Sequence, residues 1–411
     1  MTKNRWLPIW SLLLSGSALA GTTAAGTSSA SESKSTRRWM VVPNVAFDTD
    51  DGLGFGIRGE LAIDEDGYEP YHTGWVVHAF ASTRGYHHHR VRFDRVGFGP
   101  EQRLRLTIHL AWRQWLNDGY WGIGNRTARE REYVKDFEEG DPGRRRYRYS
   151  LFQPFAHMTL RARIDGPWLA YGALTGKYSI VETYPGSLLA LERPFGLDGG
   201  VTVQLQGGLL YDSRKPEGTP TSGVLAELGA RIAPPLPTGA GTFGGVMGSV
   251  RAFWGITDRL VLAGRLMGEV MFGEIPFYEM VHWGGLFPVT GFGGFETIRG
   301  LSFGRFRAPG KAVLNTELRL SVFEHTLADE PFVWQLVPYA DAGVVFLGDE
   351  TRHGGGPEIH PGFGGGLRAI WQRDFVARID AGAGLDPIVE PDGRTTNTWA
   401  FGFYIVFDHT F

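Results

Sequence analysis

Apolar and polar side chains alternate at every second position through most of this chain, most clearly at its end. From Trp399 to Phe411 the odd positions are Trp399, Phe401, Phe403, Ile405, Phe407, His409 and Phe411, and the even ones are Ala400, Gly402, Tyr404, Val406, Asp408 and Thr410. One face is almost wholly large and apolar, the other small or polar. In water such a strand belongs to a sheet with one buried face. Repeated around a closed sheet, it describes a barrel with lipid outside and water inside. The alternation recurs in 104–110, 314–320 and 377–381. The inward set is charged: Arg58, Glu60, Arg90, Arg92, Asp94, Arg105 and Arg113 early in the chain, then Arg265, Glu269, Glu317, Arg319, Asp341, Arg368, Arg378 and Asp380. Many segments reach the roughly 9–11 residues that a tilted strand needs to cross a bilayer, which a short-stranded soluble sandwich does not require.

Sixteen strands are predicted, starting near 40, 53, 73, 88, 102, 146, 167, 199, 222, 243, 259, 311, 333, 361, 374 and 396. An even count puts both chain ends on the periplasmic side and the long polar connections, 117–145 and 348–360, outside. The fold class is all-β, a transmembrane antiparallel β-barrel. No helical period of useful length interrupts it.

Composition narrows the setting. A mean hydropathy of −0.16 would suit a soluble protein, but 59 Gly and 13% aromatic residues do not suit an ordinary soluble enzyme. Gly is at about twice its usual share without collagen periodicity, which fits tight turns and close backbone approaches. With no Cys there can be no disulfide and no thiolate metal site. The net charge of −3 gives no reason to expect nucleic acid as a partner. Lys3 and Arg5, the apolar Leu7–Leu14 and the small residues Ala18-Leu19-Ala20 read as a secretory signal peptide over 1–20, cleaved near Ala20. Its apolar core is too short for a spanning helix. Residues 21–38 read as a flexible linker and 39–411 as the barrel.

The stretch from Glu274 to Phe346 carries ordered motifs. Pro276-Phe277-Tyr278-Glu279, Gly284-Gly285 and Ile298-Arg299-Gly300-Leu301 are followed by Asn315-Thr316-Glu317-Leu318-Arg319 and Tyr339-Ala340-Asp341-Ala342-Gly343. Upstream stand Tyr120-Trp121-Gly122-Ile123-Gly124-Asn125, Tyr211-Asp212-Ser213-Arg214 and Pro220-Thr221-Ser222-Gly223. Together they resemble the BamA/TamA superfamily of outer-membrane barrel-assembly proteins, the bacterial surface antigens. The resemblance implies a sixteen-stranded barrel whose long sixth extracellular loop folds into the lumen, with Arg299 meeting Glu317 and Asp341. Strand phase agrees, because both carboxylates fall on inward faces of neighbouring strands. An arginine fork can take carboxylates from two sides, which lysine cannot imitate. Gly293, Gly294 and Gly300 would let the loop turn tightly.

Two departures stand out. Leu301 replaces an aromatic usual in the family, which predicts a less firmly packed loop tip. The segment 21–38 is too short for one polypeptide-transport-associated (POTRA) domain, so the chain reads as a member lacking them. The resemblance also implies that Tyr404, Phe407 and Phe411 form the C-terminal signal read by the cell's barrel-assembly machinery.

Gly54-Phe55-Gly56-Ile57-Arg58-Gly59 matches a dinucleotide glycine pattern but lies within an alternating strand, with no helix opening at its end. Gly310-Lys311 lacks the spacing and the hydroxyl of a phosphate loop. His87, His88 and His89 read as a solvated extracellular tip rather than a metal site, since neighbours on a strand point apart. Asp48, Asp50 and Asp51 before Gly52 suit a hairpin turn better than a calcium loop, whose bidentate Glu is missing. The inward acids are matched by nearby arginines, which suggests a structural ionic network, so neither an enzyme nor a cofactor is expected. Two functions remain open: insertion or translocation of proteins or lipids at the outer membrane of a Gram-negative-type bacterium, or a channel or structural barrel with a charged lumen. Expected partners are outer-membrane lipid, the assembly machinery and, for the first function, a separate periplasmic protein.

Overall fold

A computed structural model describes residues 19–24, 35–48, 51–133, 142–286, 288–327, 330–348, 358–371, 375–407 and 409–411. The signal-peptide core, the linker from 25 to 34, Asp50 and most of the connection from 348 to 360 lie outside the described residues. The barrel strands are β1 Thr36–Asp48, β2 Gly52–Asp64, β3 Thr73–Ser82, β4 Tyr86–Phe98, β5 Leu104–Gly119, β6 Phe155–Asp165 with a leading piece Arg148–Phe152, β7 Trp168–Thr183 and β8 Gly200–Asp212. They continue as β9 Gly223–Ala233, β10 Phe243–Thr257, β11 Leu260–Gly273, β12 Gly310–Leu327, β13 Glu330–Phe346, β14 His360–Trp371, β15 Phe375–Val389 and β16 Thr395–Phe407. Each pairs antiparallel with its neighbour, and β16 returns to β1, closing a sixteen-stranded barrel.

The alternation explains why these segments are strands and which way they face. Phe401 is 72% exposed and Leu228 64%, while their strand neighbours Gly402 and Glu227 point inward and are buried. A continuous belt of exposed Leu, Val, Phe and Trp would aggregate in water; against lipid it is the expected outer surface. The inner face carries the charges.

Four readings change. β1 begins at Thr36, inside the expected linker, and a further strand, Leu19–Ala24, pairs with Thr36–Val41. β2 occupies one edge of β1 from Thr36 to Asp48, so this added strand lies on the edge facing β16. His87–His89 are in β4, not at a loop tip: His88 faces the lumen, and His87 and His89 the other way. The sixth strand is split at Gln153-Pro154, where proline has no N–H for the ladder. Finally, the period-two face does not continue to Phe411. The last strand stops at Phe407, and Phe411 turns inward so that its ring lies 5.2 Å from the Arg265 guanidinium and 5.4 Å from that of Arg319. Those buried cations draw the chain end inside.

The ladders are uneven. β15 and β16 pair continuously from Ala377↔Phe407 to Val389↔Thr395. Between β16 and β1, the described pairs are Tyr404↔Asp48 and Ile405↔Phe47. Over the described residues, the closing seam is short.

Candidate functional site

The connection from β11 to β12, residues 274–309, is the sixth on the rim opposite the chain ends. It turns into the barrel and is held at several points. Glycines with positive φ make the turns: Gly293 (104°), Gly294 (84°) and Gly300 (107°). Such angles suit a residue without Cβ. Thr297 Oγ1 accepts from the Gly293 N–H at 2.8 Å and donates to the Gly293 carbonyl at 3.0 Å, and the Gly294 N–H reaches the Leu301 carbonyl at 2.8 Å. A tight hairpin results, with Arg299 at its tip.

Arg299 is fully buried. Its Nε and Nη2 donate to the two oxygens of Asp341 on β13, each at 2.9 Å, and its backbone N–H donates to Asp341 Oδ2 at 3.0 Å. Nη1 donates to Glu317 Oε1 on β12 at 2.7 Å and lies 3.7 Å from Asp380 Oδ2 on β15. The guanidinium lies 3.4 Å from the centre of the Tyr339 ring. Burial disfavours its charge, but Asp341 and Glu317 more than offset this and raise the arginine pKa further. The acids are shared. Glu317 also takes Arg319 Nη2 at 2.9 Å and Arg368 Nη2 at 3.4 Å, and Asp380 takes Arg368 and Arg378.

The wall under this tip is bare backbone. A Cβ on Gly362 of β14 would stand 2.7 Å from the Arg299 carbonyl oxygen, and one on Gly384 of β15 would stand 2.9 Å from Leu301. These glycines form a seat that side chains would fill. Ile298 is 0% and Leu301 1% exposed, packed with Phe292, Phe306, Val313 and Val345. Leu301 therefore packs tightly, contrary to the expectation from its missing ring; the seat is narrow enough that a branched aliphatic fills it.

Other anchors hold the rest of the loop. Glu279 accepts from Lys177 Nζ on β7 at 2.9 Å and from Gln204 Nε2 on β8 at 2.9 Å. Burial would raise the Glu279 pKa, but Lys177 and Arg231 hold it below the usual carboxyl value. Glu227 of β9 takes the Leu286 N–H at 2.6 Å, and Arg305 reaches Asp386 on β15 at 2.6 Å. Glu296 differs: burial raises its carboxyl pKa, only partly opposed by the Thr290 N–H and by Arg265.

Of the residues singled out in the sequence, Ile298, Arg299, Gly300, Leu301, Glu317 and Asp341 come together at this point. Tyr404 and Phe411, grouped with Phe407 at the chain end, lie beside it. The Gly300 N–H donates to the Tyr404 hydroxyl at 3.1 Å. Arg265 donates to the Thr410 carbonyl at 3.2 Å and Arg319 to the Phe411 main-chain oxygen at 3.3 Å. Phe407 closes β16. Asp380, Tyr339, Tyr404 and Thr410 were not assigned to the loop arginine from sequence. Asp380 was the readable one, as a third inward acid on an alternating strand.

Solved structures show the same fold. A BamA from Haemophilus ducreyi lacking POTRA domains 1–3 is 12% identical, with a TM-score of 0.56 over 95% of this chain and 75% of that one. CdiB from Escherichia coli is also 12% identical, with a TM-score of 0.55 over 96% of this chain and 68% of its own. No curated protein matches the chain. At such identities the likeness speaks for the barrel alone. A family model, the Omp85 superfamily domain, matches residues 198–403, a span running from β8 through the glycine seat to β16. Half of the sequence, including the whole sixth loop with Glu317, Asp341 and Asp380, thus fits one family, and the chain belongs to the Omp85 superfamily.

Proposed function

We propose that this barrel sits in the outer membrane of a Gram-negative-type bacterium and inserts or translocates polypeptides there, with the β1–β16 seam as the part that opens. The observation that carries this reading is the seat of Arg299. Its hairpin bonds to β12, β13 and β15 and, through Gly300 and Tyr404, to β16, one wall of the seam. A brace inside and a short ladder at the seam are what a barrel needs if it is to open at one place without collapsing. Unpaired backbone in hydrocarbon costs several kcal/mol per group, so an incoming strand that supplies partners would stabilise the open edge. Export by a signal peptide cleaved near Ala20, delivery by the barrel-assembly machinery and a separate periplasmic partner are parts of the same proposal.

The test is an insertion assay. The barrel is reconstituted in liposomes, an unfolded small outer-membrane protein is added, and its folding rate is compared with that in liposomes holding an inert barrel of similar size. Acceleration that is lost in Arg299→Ala supports the proposal. No acceleration, with or without candidate periplasmic partners, favours a channel or structural barrel. That second reading has its own support, since the loop leaves cavities along the inner face of β1–β5.

A further inference from the structure

The sixth loop does not fill the lumen evenly. Its described ion pairs go to β7 (Lys177), to β12 and β13 (Glu317, Asp341) and to β15 (Asp380, Asp386). Towards β5 its contacts are of another kind: His282 Nε2 lies 3.4 Å from Arg113 Nη2, and the Phe303 ring 5.5 Å from Trp115. Between the loop and the inner face of β1–β5 lies a cavity of about 270 Å³. A second, of about 450 Å³, continues toward the rim bearing the chain ends and shares Arg58 and His409 with the first.

The wall facing these cavities sets basic side chains against one another. Arg58, His78 and Arg90 form one cross-strand row, His88 stands opposite Arg113, and Arg105 opposite Arg161. The lock on the far wall also crowds arginines together, but carboxylates stand between them. On this wall Glu60 takes Arg58 at 2.6 Å and Asp94 takes Arg105, and Arg113 stands apart from both. Arg113 is buried, and among the described residues no carboxylate lies within ion-pair distance of it. Its guanidinium donates to Gln153 and stacks on Trp115 at 4.7 Å. Arg113 Nε and His88 Nε2 are buried with no hydrogen-bond partner, an arrangement costly enough to call for an explanation. Among the described residues, the acids lining this cavity are Asp51 and Glu296, at its edge and on the loop.

We propose that the cavity beside β4 and β5 binds a small anion carrying phosphate or carboxylate groups, held by Arg113 and Arg90 with His88. An anion there would supply acceptors to Arg113 and, when its Nε2 carries a proton, to His88. The site is distinct from the Arg299 seat, so its failure would leave the proposed insertion activity standing.

The experiment is calorimetric titration of the folded full-length barrel in neutral detergent at low ionic strength, with inorganic phosphate and with citrate in separate runs. Saturable binding of one or both anions is expected, and the run that succeeds identifies the group recognised. Arg113→Gln should weaken binding at least about tenfold, and Arg113→Lys should lose less. Arg394→Gln, at an exposed turn, should bind as the native protein does. His88→Leu gives a second route if Arg113→Gln does not fold, and it too should weaken binding. The proposal is overturned if neither anion binds saturably. It is also overturned if Arg394→Gln loses as much affinity as Arg113→Gln, or if both cavity variants bind unchanged.

Discussion

Arg299 is fully buried, so its removal exposes the cost of its surroundings. Arg299→Ala would leave Asp341 and Glu317 buried with fewer cations, and loss of one partner of a buried pair costs about 3–5 kcal/mol. Denaturant unfolding in micelles checks this, and a variant as resistant as the native protein would remove the brace from the account. Arg299→Lys should recover part of the loss, because a lysine reaches one carboxylate but cannot present a fork to two. Glu296 gives the opposite sign. Burial raises its pKa in the folded state, so its ionisation opposes folding. That penalty is absent below the ordinary carboxyl range near 4.5 and sets in as pH rises through the raised value. Glu296→Gln should therefore raise the melting temperature at pH 8 and leave it nearly unchanged at pH 4. An equal rise at both pH values would contradict the assignment. At this scale the sequence was legible where family motifs and strand phase agreed, as at Arg299, Glu317 and Asp341. It was not legible at Tyr404 or Thr410, whose roles depend on where the chain end turns, and period two carries no information about that.

Among the elements, strands were readable because each has two solvents to satisfy. A side chain placed on the wrong face meets hydrocarbon or water it cannot tolerate, so the period is written strongly, and strand starts such as 73 and 243 could be placed to the residue. Ends fared worse. β1 starts at Thr36, where the ladder with β2 begins opposite Asp64, although 36–42 do not alternate and the small residues before them read as linker. The glycine seat was invisible, since a strand glycine serves equally in a bulge, a bend or a close approach. Gly362→Ala tests it. The added methyl would meet the Arg299 carbonyl at 2.7 Å, and overpacking of this kind costs about 1–3 kcal/mol. Limited proteolysis should find the sixth loop cut sooner in this variant, and an unchanged digestion pattern would mean that the wall can yield.

For the molecule as a whole, the seam and the loop are two places where the barrel departs from a uniform cylinder. The chain has no Cys, so a pair introduced at Phe47 and Ile405, which face each other in the short ladder, would form one unambiguous cross-link. In the insertion assay the oxidised pair should abolish acceleration, and reduction should restore it. Full activity with the cross-link formed would mean that polypeptides use another route. The seat under the loop bears on how such a cycle could repeat. At Gly362 and Gly384 the wall offers only main chain, and that main chain is held in shape by the ladders of β13 to β16. Main chain so held has no rotamers to rearrange while the loop is away. The empty seat keeps its outline, and a displaced hairpin returns at the pace of its own refolding, to a barrel that holds no memory of the departure.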